Sequence, residues 1–300
     1  MSVMFGLTAG IAAAGCTSAT DVGTKFSSEK LTTLFIFATV WSVSAVVLSL
    51  ACIVWYPRLI THPIDTLPAL VTADFWLVLA ASGILNAIAY FFYTRAFRHG
   101  DASLVVPLTF LTPVLLLVTS PVMLGERIPP AGIIGVLGTV WGAYFLGRDT
   151  AASDGWVSWC KGLCRHRGTG SMLITACAWS VTSNLDKMGM TMTTPLLWSA
   201  CISIAIAVLG IACRLVMRTR AAEGAHAWRA LIPGTANAMQ IVLVMYAMTA
   251  LLVPYAIAIK RLSAVFTVVL GGALFGEKTK DRLVGSSIMI GSTILMALGR

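Results

Sequence analysis

The feature that most constrains this chain is a succession of ten apolar stretches, each about the length of a bilayer crossing and separated by short polar breaks. They fall near residues 3–22, 33–55, 74–97, 102–124 and 130–147, then near 170–187, 194–215, 230–250, 253–275 and 283–299. A helix needs about 20 mostly apolar residues to cross a hydrocarbon layer of about 30 Å. In lipid, its backbone polar groups must be satisfied within the segment. The expectation is an all-α integral membrane protein with ten transmembrane helices. The chain has 300 residues, 58% of them hydrophobic and 11% charged, with a mean hydropathy of +0.87, which leaves no length for a soluble domain. The stretch IAAAGC ending at Cys16 is reminiscent of a lipoprotein signal, but no Lys or Arg precedes it, so it reads as part of the first helix.

The net charge of +9 does not point to nucleic acid, because the basic residues stand singly or in small groups between apolar runs. Anionic headgroups and membrane orientation explain it better. The loops after helices 1, 3, 5, 7 and 9 hold about fifteen Lys and Arg against about four on the other side when Lys260 and Arg261 are left out, which turns the termini away from the cytoplasm. A multi-pass protein of the plasma or inner membrane is expected. Five of the seven cysteines lie in apolar runs, and Cys160 and Cys164 beside His166 supply too few ligands for zinc. No metal and no cofactor are expected.

The two halves of the chain are related. A shift of 151 residues lays Gly83, Asn86 and Ala87 over Gly234, Asn237 and Ala238, and Gly125-Glu126 over Gly276-Glu277. A separate shift of 162 lays SATDVGTK over SVTSNLDK, matching Ser18, Thr20 and Lys25 to Ser180, Thr182 and Lys187. The halves are 1–147 and 170–300, joined by a loop over 148–169 whose Trp156 and Trp159, interleaved with Lys161 and Arg165, suit the membrane interface. An odd number of helices per half sends the second half into the membrane the opposite way up, so the expected architecture is two inverted five-helix repeats.

At FYTRAFRHGDASLVVPLTFLTPVLLLVTSPVMLGER, and again at YAIAIKRLSAVFTVVLGGALFGEK, the chain resembles the EamA-type members of the drug/metabolite transporter superfamily. The shared pattern is a helix, a basic-x-Gly-x-Ala-Ser turn, a proline-marked helix and a closing Gly-Glu. The second half departs from it, with ALLVP at the turn and no proline matching Pro113. The resemblance implies a central cavity lined mainly by helices 1, 3, 4, 6, 8 and 9, and movement of small metabolites by alternating access.

The residues themselves point to a site. Lys260 and Arg261 lie inside predicted helix 9, because a helix starting after Arg261 would have only 14 residues, about 21 Å, before Phe275. Two central charges cost about 5–7 kcal/mol on the insertion scale. The large apolar residues of that helix return only about 3–6 kcal/mol. The charges should therefore face protein or a wet cavity, with adjacent side chains about 100° apart, so that one lines the cavity and the other snorkels or pairs. Asn86 and Asn237, equivalent in helices 3 and 8, need partners or water. Tyr90, Gln240, Trp179 and Asn184 are placed near them, and Tyr255 near the cavity mouth.

Each Gly-Glu pair reads as a left-handed helix end followed by a carboxylate that favours the next helix's N-terminus. No Asp or Glu falls at mid-depth in a predicted helix, Asp21 and Asp186 being nearest, so no buried-carboxylate proton relay is evident. There is no HExxH, no GxSxG and no Asp/His metal cluster, so an enzyme is not expected. The expected function is a secondary transporter of a small polar metabolite, anionic or zwitterionic, acting as a monomer or homodimer in the lipid bilayer. The alternatives are a multidrug exporter of amphipathic compounds and a membrane scaffold that moves nothing.

Overall fold

The computed structural model describes residues 3–58, 72–99, 106–147, 167–217, 221–266 and 283–298. Ten α-helices occur among them: α1 (Val3–Ser28), α2 (Thr33–Trp55), α3 (Ala73–His99), α4 (Leu111–Leu124), α5 (Pro130–Gly147), α6 (Arg167–Met192), α7 (Pro195–Val216), α8 (Leu231–Ala250), α9 (Val253–Lys260) and α10 (Leu283–Leu298). Short 3-10 segments, Val106–Phe110 and Ala221–Ala230, lead into α4 and α8. The linking loop with Cys160, Cys164 and His166, the Gly-x-Ala-Ser turn, the end of predicted helix 9 and Gly276-Glu277 lie outside the described residues.

Local signals set the helix ends. Thr32 caps α2 by accepting from the Phe35 N–H, and Thr194 caps α7 by accepting from the Leu197 N–H, with Pro195 at the start of the helix. Gly125, at φ 66°, ends α4 in the left-handed conformation expected of it. Five helices among the described residues are long and apolar enough to cross a membrane: Val3–Ser28, Thr33–Trp55, Ala73–His99, Pro195–Val216 and His226–Ala250. Leu108–Leu124, Pro130–Gly142 and Ser287–Met296 are shorter apolar helices. Helix α6 has the length, 26 residues, but is the most polar of the ten α-helices.

Large apolar side chains face outward as well as into the core, and many hydroxyl and amide side chains are buried with it. Val54, Val122, Leu215 and Val216 are exposed, whereas Ser18, Thr24, Thr112 and Asn184 are wholly buried. Exposed Trp55, Trp76 and Trp228 stand near helix ends, where the amphipathic indole suits the headgroup region. The chain is a multi-pass membrane protein.

Packing is reciprocal between the halves. Helix α1 packs on α8 as α6 packs on α3, while α2 packs on α7 and α5 on α10. Exchanging each helix with the one five places on maps these pairings onto one another. Small residues make the close approaches possible. Gly135, Gly138 and Gly142 of α5 lie against Met296, Ser292 and Met289 of α10.

Gly132 is the tightest of these contacts, since a Cβ there would sit 1.6 Å from the Tyr255 hydroxyl and 2.3 Å from its ring. Gly132→Ala must push the buried Tyr255 out of place. The expected cost is about 1–3 kcal/mol, read as a lower unfolding temperature of the detergent-solubilised protein. An unchanged unfolding temperature would contradict this packing.

The structure corrects the sequence reading in three places. Helix α1 runs to Ser28 and α6 runs from Arg167 to Met192, longer than the apolar runs that announced them. Hydropathy ends each run within a residue or so of its acidic side chain, but the backbone continues as helix well beyond Asp21 and Asp186. Helix 9 is interrupted at its charged pair. The α-helix ends at Lys260, the Leu262 N–H reaches the Ile259 carbonyl three residues back at 2.9 Å, and the Val265 N–H repeats that spacing on Leu262. A shift of 151 residues takes the 3-10 segment Val106–Phe110 onto 257–261, immediately before the tightened turns at 262–265.

Candidate functional site

The interrupted helix ends at a cavity of about 90 Å³ between α1, α2, α3, α4, α6, α7, α8 and α9. At roughly 10–15 Å³ per water, it has room for a handful of waters or a compact organic solute. Helices α1, α3, α4, α6, α8 and α9 supply most of the wall, as the resemblance implied, with Trp41 of α2 and Ile202 of α7 added.

Lys260 and Arg261 both line the cavity, so the 100° divergence of an ideal helix does not separate them. The tightened turn brings both cations toward one indole: the Lys260 Nζ lies 5.9 Å and the Arg261 guanidinium 5.4 Å from the Trp179 ring centroid. Such contacts stabilise a cation by about 0.5–2 kcal/mol. Arg261 also donates from Nη2 to Thr112 Oγ1 at 3.3 Å, while its buried Nε has no hydrogen-bond partner among the described residues. Neither residue is in an ion pair among the described residues.

Asn237 and Gln240 are on the wall, but much of their hydrogen-bonding capacity is used. Thr17 Oγ1 donates to Gln240 Oε1 at 2.6 Å, Gln240 Nε2 to Asn237 Oδ1 at 2.7 Å, and Asn237 Nδ2 to Ser44 Oγ at 3.0 Å. This chain ties α8 to α1 and α2. Asn237→Leu leaves Gln240 and Ser44 each short of a partner, and interhelical hydrogen bonds in membranes are worth about 0.6–2 kcal/mol each. Thermal unfolding in detergent should show a loss of about 1–3 kcal/mol. Full stability in the variant would mean the chain of amides holds nothing.

Asn86 also lines the cavity and donates to Ser82 Oγ at 3.1 Å, and Ser82 donates to Asp186 Oδ1 at 2.5 Å. Tyr90 and Trp179 are there too, within an aromatic cluster in which Tyr90 lies 5.4 Å from Trp41 and Tyr93 lies 5.4 Å from Trp179.

Two sequence-predicted residues are placed elsewhere. Asn184 is wholly buried between α6 and α4, accepting from Ser120 at 2.7 Å and donating to Thr119 and the Ser180 carbonyl. Its amide is consumed in helix packing. Tyr255 points to α5 and packs on Gly132. Two carboxylates are gained in exchange. Asp21 lines the cavity and accepts a hydrogen bond from the Tyr93 hydroxyl, and Asp186 lines it while accepting from Ser82 and, at 3.3 Å, from Trp198 Nε1. They lie seven and six residues inside their helix ends, about 9–10 Å along the axis. The SATDVGTK and SVTSNLDK repeat contains both residues, and their register on the wet face of a longer helix is the sequence signal for them.

At one end of the cavity helices, Lys187 of α6 binds Glu126 Oε1 at 2.9 Å and the Leu251 carbonyl at 3.2 Å. Both Glu126 oxygens accept from the Val253 N–H, at 3.3 and 3.1 Å. Glu126 therefore favours a helix N-terminus, as expected, but that of α9 in the other half and not that of α5. Among the described residues, no three His, Cys, Asp or Glu side chains gather closely enough to hold a metal.

This arrangement of helices around a polar cavity accords with the comparison to known proteins, in which residues 4–148 match the EamA-like transporter family. The match covers the first half of the chain, which is EamA-like and is thereby assigned to that family. Its members are transporters of the drug/metabolite class, which makes this EamA-type chain a membrane transport protein at the family level. A solved crystal structure is similar to it with a TM-score of 0.69, covering 98% of this chain and 96% of its own at 16% identity, and so shares its fold. No curated protein matches the EamA-type chain.

Proposed function

We propose that this EamA-type protein is a secondary transporter of a small polar metabolite, anionic or zwitterionic, that works by alternating access around the cavity. The observation that carries the reading is the convergence of helices from both halves on a polar cavity whose cations, Lys260 and Arg261, have no ion-pair partner among the described residues. An intramembrane charge without a structural partner marks a solute path. The two halves act as inverted repeats, a reading supported by the 151-residue register and the reciprocal helix pairing. Rocking of one half against the other then exposes the cavity to each side in turn. The tightened backbone at 262–265 and in Val106–Phe110 supplies hinge positions beside the site.

The site residues are Lys260, Arg261, Trp179, Tyr90 and Asn86 as direct contacts, with Asn237 and Gln240 fixing the wall. The protein resides in the plasma or inner membrane and acts as a monomer or homodimer. An exporter of amphipathic compounds is opposed by the charged and amide side chains on the cavity wall, and a scaffold would not need such a wall. The test is solute counterflow into proteoliposomes, with organic acids, amino acids, phosphorylated metabolites and cationic dyes compared against protein-free vesicles. Protein-dependent flux of at least one carboxylate- or phosphate-bearing solute is expected. Flux confined to the dyes, or absent for every solute, would overturn the reading.

A further inference from the structure

We propose that Arg214, Lys30 and Arg229, gathered around the turn between α1 and α2, form a binding site for the phosphate of an anionic phospholipid. The site lies apart from the cavity and does not depend on what the protein carries.

Two stacked guanidiniums bracket the turn. Arg229, in the 3-10 segment before α8, lies 4.0 Å from the Phe26 ring centroid on the α1 side, and Arg214, in the last turn of α7, lies 4.3 Å from the Phe35 ring centroid on the α2 side. Lys30 is exposed on the turn itself. Stacking on an aromatic face orients a guanidinium but leaves its charge and its in-plane N–H groups for an anion.

Little of that charge is used by the fold. The side chains of Arg214 and Lys30 have neither an ion pair nor a hydrogen bond among the described residues. Arg229 donates to the Phe26 carbonyl at 3.2 Å, while its Nε finds no acceptor among the described residues. The carboxylate on the turn, Glu29, is largely exposed and stands 3.6 Å from Arg229, a pairing that contributes little. Three cations from three elements therefore meet one carboxylate. The negative end of the α7 dipole accounts for Arg214 alone; Lys30 and Arg229 belong to other elements.

The surroundings make the matching anion a lipid. Exposed Trp228 lies 5.8 Å from the Arg229 guanidinium, as suits the headgroup level. From Arg214 inward along α7, Ile211, Val208 and Ile204 are exposed at helical spacing and offer an apolar track to an acyl chain. A small soluble anion matches the cations but not the track. A zwitterionic phospholipid brings its own ammonium to an already positive turn. Arg95 and Arg98 are exposed at the same end of the bundle, where Lys25 Nζ reaches the Phe97 carbonyl at 3.2 Å, and such a basic rim attracts an anionic leaflet. A phosphate at the turn also joins α1 and α2 of the first half to α7 and the 3-10 segment of the second.

The test uses the delipidated full chain in detergent, titrated with dioleoylphosphatidylglycerol, dioleoylphosphatidylcholine or inorganic phosphate. Native mass spectrometry counts bound lipid, and thermal unfolding reads stabilisation. The first phosphatidylglycerol is expected to bind at least tenfold more tightly than phosphatidylcholine and to raise the unfolding temperature, whereas inorganic phosphate at the same concentration does not. Arg214→Gln and Lys30→Gln should each cut the preference at least threefold. Arg127→Gln, which removes an exposed arginine at the other end of the bundle, should leave it unchanged. Each variant is checked for a monodisperse, helical protein, and Lys30→Gln, on an exposed turn, carries the comparison should Arg214→Gln fail to fold.

Equal binding of the two lipids, a preference untouched in the folded variants, or the same loss in Arg127→Gln would overturn the inference. So would protection by inorganic phosphate equal to that by phosphatidylglycerol, which would make the turn a site for any small anion.

Discussion

Lys260→Gln is expected to lower the apparent affinity for the transported solute by roughly tenfold to a hundredfold in proteoliposome counterflow, with the protein still folded. A hydrogen bond to a charged group contributes about 1.5–3 kcal/mol, and each 1.4 kcal/mol is about tenfold. Lys260 has no ion pair among the described residues, and its Nζ lies on the cavity wall 5.9 Å from the Trp179 ring centroid, so its charge is available to a ligand. Arg261 is different. It is almost wholly buried and bonds Thr112, so Arg261→Gln should lower both flux and unfolding temperature. The contrast between neighbours is the informative result. If Lys260→Gln transported every solute as the wild type does, the cation would be a packing device.

Glu126→Gln should destabilise the described conformation by about 1.5–3 kcal/mol, because it weakens the pair with Lys187 and the cap on Val253 together. Glu126 is buried and joins the end of α4 to α6 and to the turn between α8 and α9. Exchanging the two charges, Glu126→Lys with Lys187→Glu, restores an ion pair but leaves the Val253 N–H without its acceptor. The exchanged protein should therefore regain less than half of the lost stability in thermal unfolding. Full recovery would show that the ion pair alone matters. In the alternating-access account, the same loosening shifts the conformational balance, since about 2 kcal/mol is a roughly thirtyfold change in population.

The number of helices was legible because lipid imposes length and apolarity on each crossing, and the ten apolar runs correspond to the ten helices described. Lys260 and Arg261 were legible as buried charges because their cost exceeds what one helix returns. The carboxylates were less so. Asp21 and Asp186 interrupt an apolar run, and a hydropathy reading places such interruptions at helix ends, although a helix facing a wet cavity carries them inside. The fate of the polar amides was not readable either. Asn237 and Asn184 have the same chemistry in sequence, and only the neighbours of each fixed their roles: Ser44 and Gln240 hold one on the cavity wall, while Ser120 and Thr119 bury the other between helices. The break at Arg261 had no proline or glycine to announce it.

The central claim, that both sides of the membrane reach the one cavity, is tested most directly at Ser183, which lines it on α6. In a chain whose seven native cysteines are replaced, Ser183→Cys should react with a membrane-impermeant maleimide applied from either side of oriented vesicles. Transported solute should slow both reactions. Labelling confined to one side, whatever solute is present, would contradict alternating access through this site.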